Sequence, residues 1–87
     1  MNQIKYKVNW QPLEDLESSR PELVNCEDYM YMGTFEKVDM ETGEIWEVVL
    51  YKNIMSRKYL NLDESGSFFQ YRPETNDYRE ISQPKEL

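Results

Sequence analysis

Alternating apolar and polar positions mark out strands along most of this chain. Ile4, Tyr6, Val8 and Trp10 alternate with Lys5, Lys7 and Asn9, the period of two expected of a strand with one buried face. The outward lysines suit an edge position. Tyr29 to Val38 mixes aromatic, Met and β-branched residues. Ile45 to Tyr51 is nearly continuous in Val, Ile, Leu, Trp and Tyr. Both compositions fit a pleated, half-buried surface. Arg57 to Asp63 alternates again, with Leu60 and Leu62 against Tyr59 and Asn61, and Ser67 to Arg72 returns with Phe68, Phe69 and Tyr71.

Turn chemistry joins these runs into two hairpins. Glu41-Thr42-Gly43 and Glu64-Ser65-Gly66 each place Gly last in a three-residue loop, where the backbone wants a left-handed residue. In the first hairpin this loop sets Met40 against Glu44, Val38 against Trp46, Lys37 against Glu47 and Phe35 against Val49. A four-residue loop would set Glu36 against Glu47, a like-charge pair, so the three-residue register is the predicted one. In the second hairpin Leu62 faces Phe68 and Tyr59 faces Tyr71. Two copies of one turn do not make a repeat protein.

Pro12 is placed to open a short helix, with Leu13 and Leu16 on one face and Glu14 and Asp15 in its first turn. Ser18, Ser19 and Pro21 end it, and Pro21 to Asp28 adds a further turn burying Leu23 and Val24. Pro73 stops the last strand. The predicted fold is mainly β: a five-stranded antiparallel sheet curled as a small SH3-like barrel, with one short N-terminal helix. An open sheet with the helix on one face is the alternative. Residues 1–73 form the single domain. Residues 74–87 are expected to be an irregular tail packing through Tyr78 and Ile81.

Charge changes the picture more than composition does. The 87 residues carry a net charge of −7, and acids and bases cancel in residues 1–20 and again in 48–87. The whole excess lies in residues 21–47, where Glu22, Glu27, Asp28, Glu36, Asp39, Glu41, Glu44 and Glu47 face Lys37 alone. An acidic block of this kind disfavours nucleic-acid backbones and favours a basic protein or nucleoprotein as partner.

Candidate chemistry is sparse. The chain has no histidine, which removes the usual general base and the commonest transition-metal ligand. Its three glycines, Gly33, Gly43 and Gly66, form no phosphate-binding loop. Glu36 and Glu47 flank a hairpin rather than a cleft, and a solvated acidic face explains them better than paired acid–base catalysis. Asp39, Glu41 and Glu44 offer oxygen ligands, but their spacing matches no calcium loop. No metal and no cofactor is expected. Cys26 is the single cysteine, so no internal disulfide is expected. Neighbouring Glu27 and Asp28 suit it poorly to nucleophilic work. No apolar run approaches a membrane span and the N-terminus lacks a signal-peptide core. These features point to a soluble, cytoplasmic protein.

The expectation is therefore a non-enzymatic binding protein, an inhibitor or regulator docking on a basic surface through Glu36, Asp39, Glu41, Glu44 and Glu47, with Tyr29, Tyr31 and Trp46 as aromatic anchors. Immunity proteins and phage-encoded anti-defence proteins share this size and charge, and carboxylates standing in for phosphates would be a sharper version. One alternative is a subunit of a larger assembly. Another is weak single-strand nucleic-acid binding by Arg57, Lys58, Tyr59, Phe69, Tyr71 and Arg72 on the second hairpin. Cross-strand packing is the plainer use of those aromatics.

Overall fold

A computed structural model of the chain describes residues 8–83. In chain order these form helix α1 (Gln11–Ser19), a 3₁₀ turn at Cys26–Asp28, and strands β1 (Tyr29–Val38), β2 (Ile45–Asn53), β3 (Tyr59–Leu62), β4 (Phe68–Arg72) and β5 (Asp77–Ile81). The strands make one antiparallel sheet in the order β1-β2-β3-β4-β5, curled into a half-barrel.

The fold class is thus the expected one, but its fifth strand is not. The predicted Ile4–Trp10 strand lies mostly outside the described residues, and Val8 to Trp10 have no regular structure. The fifth strand is β5, inside the segment expected to be irregular. Pro73 does not stop the sheet there; it opens a turn. Pro73 to Asn76 link the paired Arg72 and Asp77, and Asn76 takes the left-handed φ of 52° that Asn tolerates. The charged Asp77-Tyr78-Arg79-Glu80 run disguises a strand because it is an edge strand.

Two side-chain layers cover the sheet. On the convex face, Leu13, Val24, Tyr29, Val49, Tyr51, Leu60 and Leu62 form the buried cluster, with Trp10, Leu16, Leu23, Cys26, Tyr31 and Phe68 packed around it. Pro12 sits in the first turn of α1, as expected of its fixed φ, and Leu13 is completely buried. The Trp10 ring stacks on Tyr51 at 5.5 Å, and the Tyr51 hydroxyl donates to the Asn9 carbonyl at 2.7 Å. A buried phenol keeps its hydroxyl satisfied in this way.

On the concave face the two sheet edges meet through side chains. Phe35 of β1 lies 4.7 Å from Tyr78 of β5, and Lys37 Nζ donates to Asp77 Oδ2 at 2.7 Å. Trp46 of β2 packs on Phe69 of β4 at 5.4 Å. The hydrogen bond from Lys37, then one from its neighbour's N–H at Tyr78, holds the Asp77 carboxyl below the usual carboxylate range. The stabilisation is present at neutral pH and is lost as pH falls through that depressed value.

The first hairpin takes the register rejected on charge grounds. Val38 pairs Ile45, Lys37 pairs Trp46, Glu36 pairs Glu47 and Phe35 pairs Val48, around a four-residue loop of Met40 to Gly43. The reason lies in Asp39. Its Oδ1 accepts from the N–H groups of Glu41 and Thr42, while Thr42 Oγ1 accepts from Glu44 N. Gly43 still takes the left-handed position, at φ 77°. Lys37 in turn gains the Trp46 ring, 5.7 Å away, as well as Asp77. The Glu36–Glu47 repulsion, exposed to water, is too weak to oppose these gains. The second hairpin keeps its expected Leu62–Phe68 pairing.

A bulge between Tyr31 and Gly33 decides which residues of β1 face which way. Before it, Tyr29 and Tyr31 face the α1 side; after it, Phe35 and Lys37 face the concave side. One extra residue inverts the pleat. Gly33 has φ 143°, a conformation other residues adopt at a cost, and an added Cβ there would meet nothing within 4 Å. Gly33→Val is therefore expected to lose about 1–3 kcal/mol through backbone strain alone, measured by urea unfolding. A variant as stable as the parent would contradict the bulge.

Candidate functional site

The outer half of the β1–β2 hairpin is a two-stranded arm. Strand β3 covers β2 only from Val49 to Lys52, so Ile45 to Val48 extend past it. On the concave side the arm is held by Phe35, Lys37 and Trp46. On the other side the alternation places Thr34, Glu36, Val38, Ile45 and Glu47; all five are exposed, and Ile45 and Glu47 border a cleft that Asn9 and Pro12, at the start of α1, also line.

This surface is apolar at its centre and acidic around it. Val38 and Ile45, directly paired, are 51% and 64% exposed, and Met40 at the tip is 93% exposed. Glu36, Glu41, Glu44 and Glu47 surround them, all exposed. Among the described residues the ion pairs are Arg20–Glu22, Lys37–Asp77 and Arg72–Glu74, so none of the arm's glutamates is neutralised by one. Unpaired among the described residues, the carboxylates project a negative field.

The expected acidic residues therefore come together, with one change of role: Asp39 is the turn's internal acceptor. The expected anchors do not. Tyr29 is 6% exposed and part of the core, so it is withdrawn as a contact residue. Trp46 is half-buried on the concave face against Phe69, opposite the Glu36–Glu47 pair. Tyr31 alone shares the acidic side, its ring edge-on to Tyr51 at 6.3 Å and its hydroxyl 2.6 Å from Thr34 Oγ1. The apolar contact groups missed in the sequence are Val38, Met40 and Ile45, which alternation alone assigns to a core.

The second-hairpin residues are also divided. Lys58, Tyr59, Phe69 and Tyr71 line one cavity, with Met32, Leu50, Asn61 and Tyr78. Arg57 is exposed in the β2–β3 turn at φ 67°. Arg72 faces a different cleft, with Lys37 and Trp46. Of the cations, Lys58 lines the aromatic cavity and Lys52, not expected from the sequence, lies 5.6 Å from the Tyr59 ring, while the Arg72 cleft shares only Phe69 and Tyr78 with that cavity.

Cys26 is half-buried and its backbone N–H donates to Glu17 Oε2; burial first, then the Glu17 charge, pushes its thiol up to about 11, leaving little thiolate at neutral pH. Among the described residues no group of three or more Asp, Glu or Cys side chains is placed to hold a metal ion, and no helix is long and apolar enough to cross a membrane. No family model, curated protein or solved structure matches the chain.

Proposed function

We propose that this is a non-enzymatic binding protein whose β1–β2 arm docks on a basic surface of another protein. The observation that carries it is the exposed Val38–Ile45 pair and Met40, framed by Glu36, Glu41, Glu44 and Glu47. Apolar groups at the centre of a patch supply affinity once water is excluded. The carboxylates at its rim steer a cationic partner and raise the encounter rate. A cytoplasmic inhibitor or regulator, of the immunity or anti-defence kind, would use such an arm. If the carboxylates substitute for phosphates, nucleic acid competes for the same partner site.

Affinity capture from bacterial lysate at low and high salt, read by mass spectrometry, tests the proposal. A basic protein captured at low salt and lost at high salt is the expected result. A partner retained through high salt would instead favour an apolar assembly interface, leaving the acids a solubilising role.

A further inference from the structure

We infer that the concave face of the half-barrel binds a small, neutral, planar heteroaromatic molecule through an N–H donor on its ring. The cavity there measures about 570 Å³, within the roughly 300–1,000 Å³ of small-molecule sites. Tyr59, Phe69, Tyr71 and Tyr78 supply aromatic walls, and Leu50 and Met32 supply aliphatic surface. Such walls pack against the faces of a flat ring.

Asn61 defines the polar complement. It lines this cavity, is only 5% exposed, and is the buried polar residue of the sheet. Its Nδ2 donates to the Phe69 carbonyl at 3.1 Å, which orients the amide. Its Oδ1 is left buried with no hydrogen-bond partner among the described residues. A buried acceptor without a donor is costly, so a donor from outside the chain, a water or a ligand N–H, is its natural complement. Oδ1 is buried, so a donor reaches it only if the side chains around it adjust. Of the lining residues Tyr59 and Met32, 50% and 40% exposed, are with Tyr71 the least confined large hydrophobic ones.

Charge selects the ligand class. Lys58 is the one charged side chain among the residues lining the cavity. A nucleic-acid strand needs several cations along its backbone; here Lys52 packs over Tyr59 at the rim, and Arg57 and Arg72 are not among the residues lining the cavity. A free small molecule fits better than a base presented on a strand. The site is separate from the acidic arm and does not depend on the arm's role.

The test is a titration of the ¹⁵N-labelled full chain, followed by NMR. Indole is the probe, and benzofuran, of the same shape but with oxygen in place of N–H, is the control. Indole is expected to shift the Asn61 side-chain amide together with Leu50 and Tyr78. Benzofuran is expected to bind at least about tenfold more weakly, because it leaves Oδ1 unpaired. Asn61→Leu should abolish that discrimination, and Tyr59→Ala, at a half-exposed position, should weaken indole without unfolding the chain. Equal binding of the two probes would overturn the role of Asn61. No shifts with millimolar indole would overturn the site. A single-stranded oligonucleotide binding the same residues more tightly than indole would overturn the choice of a free small molecule.

Discussion

Replacing Glu36, Glu41, Glu44 and Glu47 together with lysine is expected to abolish capture of the arm's partner while leaving the fold intact. All four are exposed, and surface changes of this kind usually cost less than about 0.5 kcal/mol each. Asp39 is left in place because its Oδ1 holds the turn through Glu41 N and Thr42 N. Changing it would mix a folding defect with a binding defect. The control is an equal charge change away from the arm, at Glu14, Asp15, Glu27 and Asp28, which are also exposed. If steering comes from net charge alone, both variants lose the partner. If it comes from the arm, only the first does. A first variant that binds normally removes the proposed function.

Leu13→Ala is expected to cost about 2–5 kcal/mol, the range for emptying a well-packed leucine site. Leu13 is fully buried and joins α1 to Val49, Tyr51, Leu60 and Leu62 through one cluster. Against the roughly 5–10 kcal/mol stability typical of so small a domain, that loss is a large fraction. Leu16, half-buried on the same helix, should cost clearly less. The measurement is urea unfolding of both variants. A Leu13 loss below about 1 kcal/mol would mean that α1 does not hold the convex face.

The strands legible in the sequence were those with one strongly apolar face. Leu60 and Leu62 alternate cleanly and lie buried together. Leu13 and Leu16 announced the helix at the Pro12 start. Strand β5 was not legible, because an edge strand tied by Phe35–Tyr78 and Lys37–Asp77 needs no apolar run of its own. The first hairpin's register departs from the expected one for a related reason. A cross-strand Lys37–Glu47 pair is the charge match that the hairpin alone offers, whereas the partner of Lys37 is Asp77, forty residues away across the seam of the half-barrel. Long-range closure of a curled sheet leaves no local signature.

The candidate surfaces divide in the same way. The acids of the arm were legible because charge at a hairpin tip has nowhere to hide. The anchors were not, because the bulge at Gly33 inverts the pleat within β1. Tyr29 then goes to the core, and Val38 goes to solvent beside Ile45. Asn61 reads as an ordinary polar position between two leucines; the hairpin register sets it opposite Phe69, whose carbonyl accepts from its Nδ2, but nothing local signals its burial.

The most direct test of the docking surface is amide hydrogen exchange of the chain alone and in complex with its captured partner. Protection gained at Glu36 to Val38 and Glu44 to Glu47, with the α1 region and the β3–β4 hairpin unchanged, is the expected result. Protection gained on α1, or along β4 and β5, with the arm still exchanging freely, would contradict it.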